Sequence, residues 1–452
     1  MVPGNRIRMQ EDAARNLSPI SDFKKAIRLL IPIRNISEVF RLYGPAKRRP
    51  AGLKAWELVH SLVYHLLLPV GTLSEHVKQL TGKKISDSGL SQRRTAIPWQ
   101  VFESLMEACL KPKAKPRLHP EAFYKGLRLC GIDGTQFSVT NTPQNRSGLS
   151  KATSRRMKAA YAKVTTCVMV ELGLRNPIGV AIGPAGESEM ALSRQLIEKL
   201  PEKSLSIWDR LYGVGAVIGL ILQIHQGGGR EFIMRVKANL KAKIIEELPD
   251  GSALVEIKYG KDKLLVREIR GSVRRPKSTW SEVRMWTSLV DSRKYPAEEL
   301  LKLYAQRWES EIYYKELKID MRGGDLLQSH TPLTAAQEIA AWILAHAVLM
   351  DTRIKAAQIG GVEVLRVSFL KTLNWVQGLW QFLELGGDLI EPKNLEKLVK
   401  RVIKEISQSV TPKRRERSSP RALRQPVVSW PRLTENSYQI GPTEYKMITV
   451  TS

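Results

Sequence analysis

The spacing of apolar residues changes several times along the chain. Up to about residue 118 they recur at helical intervals. "WELVHSLVYHLLL" is apolar on all sides and predicts a buried helix. "TLSEHVKQLTGKKISDSGLSQRRTAIPWQVFESLMEACL" predicts three helices with short breaks. Thr72 and Glu75 have capping-box spacing, Gly82 ends the first helix, and Ser86, Asp87 or Ser88 can cap the second. The pair resembles a helix-turn-helix whose second helix carries Gln92, Arg93 and Arg94. "KPKAKPRLHP" then reads as a Pro- and Lys-rich linker.

From about residue 122 short β-branched runs predict strands. "LRLCGID" stops at Asp133 and "LSIWD" stops at Asp209. "KVTTCVMVEL", "PIGVAIG" and "EFIMRVK" supply further strands, while "SEMALSRQLIEKL" and "GVGAVIGLILQIHQ" are helical. This order predicts an α/β layer architecture with a mixed sheet. "AKIIEEL", "SALVEIKY", "LLVREIRG" and "EVRMWTSLV" follow as alternating strands with turns such as "PDGS". That block shares no pattern with its flanks and reads as an insertion. Helical spacing then returns to about residue 408, clearest in "AAQEIAAWILAHAVLMDTRI". "TPKRRERSSPRALRQP" reads as a disordered basic tail.

Charge narrows the function. The 452 residues include 72 Lys and Arg against 44 Asp and Glu, a net charge of +28. A field of that sign attracts polyanions, and nucleic acid is the first candidate. A hydrophobic content of 43% excludes a wholly disordered chain. Cys109, Cys130 and Cys167 are too sparse for a disulfide framework or a zinc site, which fits a reducing cytosol. The apolar runs "AAWILAHAVLM" and "AVIGLILQI" are too short to span a bilayer. A soluble intracellular protein with no membrane partner is expected.

The candidate chemistry lies in "YAQRWESEIYYKELK". On a regular helix, with Tyr304 at zero, Arg307, Glu311 and Lys318 fall at about 300°, 340° and 320°. Lys315 joins that stripe at its edge, and Tyr313 and Leu317 face the other way. Asp133 and Asp209 project from strand ends, where α/β proteins place ligands. Alone, each is more simply a turn-starter. Together with Glu311 they make an oxygen-donor set suited to Mg²⁺. Two such ions can promote in-line attack on a phosphodiester. Arg307 and Lys318 would then neutralise phosphates, and Tyr304 would donate to a phosphate or stack on a base. Arg210 beside Asp209, and Arg146, Lys151, Arg155, Arg156 and Lys158 after Asp133, are expected to face DNA.

Asp133 in "IDGT", Asp209 in "WDRLYG" and Glu311 in Tyr-x2-Arg-x3-Glu-x6-Lys closely resemble the DDE transposases of bacterial insertion sequences. The group in question carries this four-residue signature and a β-rich insertion. The resemblance implies a multidomain α/β protein with a ribonuclease-H-like core split by an all-β insertion. The implied parts are a helical DNA-binding region (1–118), a core in two pieces (119–235 and 296–350), the insertion (236–295) and a helical C-terminal region with its basic tail (351–452). It further implies Mg²⁺ at Asp133, Asp209 and Glu311, with Mn²⁺ as a substitute, and cleavage at the inverted-repeat ends of an element. Transfer of the freed 3′ ends into double-stranded target DNA would follow, by a homodimer or higher oligomer in the bacterial cytoplasm, at the nucleoid. Hairpin-forming members stack an insertion tryptophan on a flipped base; Val283 holds the expected place here, flanked by Trp280 and Trp286. A nuclease or junction resolvase without strand transfer, an inactive DNA-binding relative and a recombinase using Tyr304 as nucleophile are the alternatives.

Overall fold

A computed structural model of the chain describes residues 27–412, except 29, 45–51, 69, 152–159, 226–228, 275–279, 322–325 and 387–388. The basic tail beyond 412, and Arg155, Arg156 and Lys158, lie outside the described residues.

The first region forms α1 (Ile33–Tyr43), α2 (Ala55–Leu67), α3 (Leu73–Thr81), α4 (Asp87–Thr95) and α5 (Trp99–Cys109). The capping signals act as expected: the Thr72 hydroxyl accepts from the Glu75 amide, and Gly82 closes α3 in the left-handed conformation. The strands are β1 (Phe123–Tyr124), β2 (Leu127–Val139), β3 (Lys163–Glu171), β4 (Asn176–Gly183), β5 (Ser204–Trp208) and β6 (Arg230–Arg235). They continue with β7 (Lys243–Glu247), β8 (Ala253–Tyr259), β9 (Asp262–Arg274), β10 (Trp280–Thr287) and the short β11 (Leu326–Leu327). Helices α6 (Pro143–Gly148), α7 (Glu189–Ile197) and α8 (Gly215–His225) connect them. The later helices are α9 (Ala297–Leu303), α10 (Trp308–Lys315), α11 (Pro332–Gly360), α12 (Phe369–Gly386) and α13 (Pro392–Gln408).

Nine strands form one mixed sheet in the order β4-β3-β2-β5-β6-β10-β9-β8-β7, with β1 and β11 pairing on β2. β4, β3 and β2 are antiparallel, while β5 and β6 run parallel to β2. Strands β7–β10 do not stand apart from this sheet. β10 pairs with β6 through Met285↔Arg235, Trp286↔Met234 and Thr287↔Ile233.

Alternate residues of β3 feed two different cores, as a two-residue period requires. Val164, Val168 and Val170 join the helices before β1 and after α10; Cys167 and Met169 join α7 and α8. The N-terminal helices share the first of these cores with α11, α12 and α13. Tyr64 lies 6.0 Å from the Trp380 ring, and Gln377 Nε2 donates to the Leu67 carbonyl at 2.7 Å. α11 runs for 29 residues, which corrects the expectation of runs too short for a bilayer, and nearly all of its apolar stretch is buried inside the protein. The 111–120 segment is also not a loose linker. The amides of Lys113 and Ala114 donate to the buried Glu171 carboxylate, which Asn176 and Arg128 also reach.

Candidate catalytic site

The ladder between β2 and β5 runs in parallel register from Arg128↔Ser204 to Ile132↔Trp208. One residue further on come Asp133 and Asp209, placed side by side as β5 ends. Adjacent strands lie about 4.8 Å apart, so this register by itself makes the two aspartates neighbours. β2 does not end at Asp133, as its apolar run implied. It continues to Val139 because Phe137 and Val139 are buried and Ser138 still pairs with Lys163 of β3. Each aspartate does make the bond of a turn-starter. Gly134 N donates to Asp133 Oδ1 at 2.9 Å, and Arg210 N to Asp209 Oδ1 at 2.6 Å. The turn-like bond engages one oxygen of each carboxylate.

The signature segment is not one regular helix. A tight 3₁₀ turn spans Tyr304–Arg307, α10 follows, and a π-type turn covers Glu316–Asp320. α10 lies hard against β2, since a Cβ on Gly131 would overlap Ser310 Oγ and Leu172. The Tyr314 hydroxyl donates to the Asp133 carbonyl at 2.5 Å. Glu311, three residues before Tyr314, is linked to the aspartate pair through Arg307, whose charge acts on both Asp133 and Asp209. Arg307 Nη2 donates to Glu311 Oε1 at 2.7 Å. Tyr313 and Leu317 are buried, as the stripe predicted. Lys318 returns to β2, where its Nζ donates to Thr135 Oγ1 and, at 2.8 Å, to the Gln136 carbonyl. Lys315 points outward and pairs with Asp320 at 2.7 Å.

Negative charge is costly in this cluster. Burial pushes the Asp133 carboxyl up to about 7, and Glu189 and Asp209 push the same way against the Gly134 amide and Arg307. Burial opposes the Arg307 charge, but Glu311, Tyr304 and Asp209 outweigh it and its pKa rises. The Tyr304 hydroxyl, raised to about 12 by burial, makes no hydrogen bond. Crowded carboxylates at a half-open position fit a hard divalent cation, whose charge would relieve their repulsion. Among the described residues, no three acidic, His or Cys side chains stand close enough together to hold a metal ion in this arrangement. Glu189 belongs to this neighbourhood and was missed in the sequence, where it looks like an ordinary first-turn helix acid.

Beyond Asp209 opens a cavity of about 520 Å³, lined by Arg210, Arg235, Arg270 and Arg284 together with Glu282 and Val283. Glu268 holds Arg284 at 2.7 Å and Arg270 at 2.6 Å, so one carboxylate serves two guanidinium groups. Arg235, Arg270 and Arg284 had no sequence signal, because three separate strands bring them together. Trp286 is buried and donates to Glu268 Oε2 at 2.8 Å, which makes it a core residue; the Trp280 side chain lies outside the described set.

The N-terminal trio Gln92, Arg93 and Arg94 does not present three free side chains. Gln92 is exposed. Arg93 donates to the Leu53 carbonyl at 3.1 Å and lies over the Phe40 ring. Arg94 is spent on Ser329 Oγ at 2.9 Å and the Thr334 carbonyl at 2.8 Å, tying α4 to α11. Packing engages both arginines, Arg94 through two bonds and the half-buried Arg93 through one. In the loop after Asp133, Lys151 Nζ donates to the Ala160 carbonyl at 2.9 Å.

The family model for the transposase DDE domain matches residues 125–348, from the turn before β2 into α11. Over that span the chain is similar to the DDE transposases of bacterial insertion sequences. The transposase InsG for insertion sequence element IS4 of Escherichia coli K12 is 26% identical to it over 331 residues, 71% of this chain and 73% of that one. The cryo-EM structure of the piggyBac transposase synaptic complex with hairpin DNA aligns over 90% of this chain and 89% of its own. Its identity of 12% and TM-score of 0.45 make the likeness too slight to bear on the fold.

Proposed function

We propose that the chain binds the inverted-repeat ends of an insertion sequence, cuts the DNA there and joins the freed 3′ ends to target DNA. The observation that carries this reading is the placement of Asp133 and Asp209 one register step beyond Ile132↔Trp208, with Glu311 paired to Arg307, whose charge acts on both aspartates. The strand order β4-β3-β2-β5-β6, antiparallel then parallel, supports a ribonuclease-H-like core. The position of β7–β10 in the chain, between β6 and the signature segment, supports an inserted β-block. Within this reading the chain divides at about 118, 235, 295 and 350 into helical, core, inserted, core and helical parts.

Asp133, Asp209 and Glu311 would hold Mg²⁺, or Mn²⁺ in its place, which would activate the attacking oxygen and stabilise the leaving one. Arg307 neutralises the phosphate while it orients Glu311, and the buried Tyr304 hydroxyl is left to donate to a phosphate oxygen. Lys318 braces β2 next to Asp133 and adds charge there. Arg210 and the arginine-lined cavity extend the basic path to neighbouring phosphates, with Lys315 at its rim. Gln92 leaves an exposed contact for end recognition on α4. Two or more copies on paired ends would complete the reaction.

The test combines the protein, Mg²⁺, labelled element ends and a target plasmid. Cut and joined products are expected. Cutting without joining would mean a nuclease or resolvase. A metal-independent covalent adduct at Tyr304 would mean a recombinase, and binding without cutting an inactive relative.

A further inference from the structure

We propose that Tyr212 and Glu189 form a strut that sets the spacing between Asp133 and Asp209. The proposal rests on the catalytic reading above, yet its geometry can be tested without it. The β2–β5 ladder ends at Ile132↔Trp208, so hydrogen bonding between strands stops one residue short of both aspartates. Something else must hold the two carboxylates at a fixed separation.

Tyr212 lies in the short 3₁₀ turn Arg210–Tyr212 that Asp209 opens. It is fully buried, with its ring 5.2 Å from Trp208 in an edge-on contact. Its hydroxyl donates to Glu189 Oε1 at 2.6 Å. Glu189 begins α7, where an acidic side chain ordinarily faces the helix N-terminus. Here Ser188 already caps that end by accepting from the Ala191 amide. The Glu189 side chain instead lies on β2. A Cβ on Gly134 would overlap its Cγ, Cδ and Oε1. Glycine after Asp133 is therefore what lets the carboxylate reach the strand. Cys167, paired with Gly134 across β2 and β3, closes the contact by donating to the Glu189 carbonyl at 3.3 Å. The links run from Asp209 through its turn to Tyr212, then to Glu189, Gly134 and Asp133. They form a closed ring beyond the end of the ladder.

A positioning role makes a pattern that simple loss of folding would not. In the full-length chain, Tyr212→Phe and Glu189→Ala should each weaken Mn²⁺ binding, followed by paramagnetic resonance, by about tenfold, the scale of outer-shell losses. Glu189→Gln keeps an acceptor for the tyrosine hydroxyl and should recover most of what Glu189→Ala loses. Gly134→Ala should lower Mn²⁺ affinity and the melting temperature in the wild-type background, and add nothing once residue 189 is alanine. Glu189→Gln as weak as Glu189→Ala would overturn the strut, because charge and not the hydrogen bond would then matter. Unchanged Mn²⁺ binding in Tyr212→Phe, or an equal Gly134→Ala penalty in both backgrounds, would overturn it too. If Mn²⁺ binding in the wild type is indifferent to Asp133→Asn, the catalytic reading fails. The melting-temperature cycle between residues 134 and 189 then decides the strut alone.

Discussion

Glu311 and Glu316 lie five residues apart on one segment and live opposite lives. Glu316 faces the back and is 2% exposed. It accepts from Arg175 Nη1 at 2.6 Å, from His346 Nε2 at 3.1 Å and from Arg353 Nη1 at 3.3 Å. Burial alone would raise its pKa, but Arg353, His346 and Arg175 together bring it down to about 2. Arg175 also holds Glu309 at 2.6 Å, so the charges at the back of the segment are buried and paired. The front gathers Asp133, Asp209 and Glu311 around Arg307, with Glu189 close to Asp133, and there burial and like charges push Asp133 up to about 7. The difference teaches what separates an anchor from a site. An anchor satisfies its charges within the chain, while a site leaves surplus charge of one sign where a ligand can supply the other.

The comparison breaks most visibly at the front carboxylates. Asp133→Asn, Asp209→Asn and Glu311→Gln should each slow single-turnover cleavage of end DNA by roughly a thousandfold or more. Because the folded protein holds the Asp133 proton more tightly than the unfolded chain does, stability falls as pH rises from about 4 to about 7, and the full cost is present above that. Asp133→Asn should therefore melt no lower than the wild type at pH 8. A large fall in melting temperature would place Asp133 among the anchors.

At the back, Glu316→Ala should cost about 3–5 kcal/mol in denaturant titrations, since it leaves two buried arginines short of a partner. On a regular helix Glu316 falls at about 120°, away from the stripe, and it does lie on the far side. That far side is where α11 packs, and His346 and Arg353 both come from that helix. Acid offers a gentler version of the same break. The folded pKa of Glu316 lies below its ordinary value, so its contribution is complete above about pH 4.5 and is lost as pH falls towards 2. That loss should be on the order of 3 kcal/mol and absent from Glu316→Gln.

Smaller effects sharpen the front. Arg307→Ala should slow cleavage by about ten- to a hundredfold while melting changes little. Equal rates would return the Arg307–Glu311 pair to an ordinary surface ion pair. Lys315→Ala, at the exposed rim, should leave melting unchanged and lower the salt dependence of DNA binding by about one counterion.

Local pattern carried much of this protein. Strands β2 to β10 each lie on an apolar run visible in the sequence, because alternation and β-branching act within a few residues. The two aspartates and the glutamate stood out for the same reason: each sits in a short motif with its own spacing. What failed were statements about neighbours. Arg93 and Arg94 looked like DNA contacts until Leu53, Ser329 and Thr334 claimed them, two of those partners more than 200 residues away. The 111–120 segment looked like a linker until Glu171 bound its amides.

By itself, then, the sequence determined the elements, the basic charge and the family signature, all of which depend on composition and short-range order. The tertiary structure alone decided that Asp133 and Asp209 share a register level. It also set Glu189 against Gly134, gathered four arginines around one cavity and put Glu316 inside. Each of these joins residues that are distant in the chain. Only folding, which closes those loops against their entropy, makes such residues neighbours.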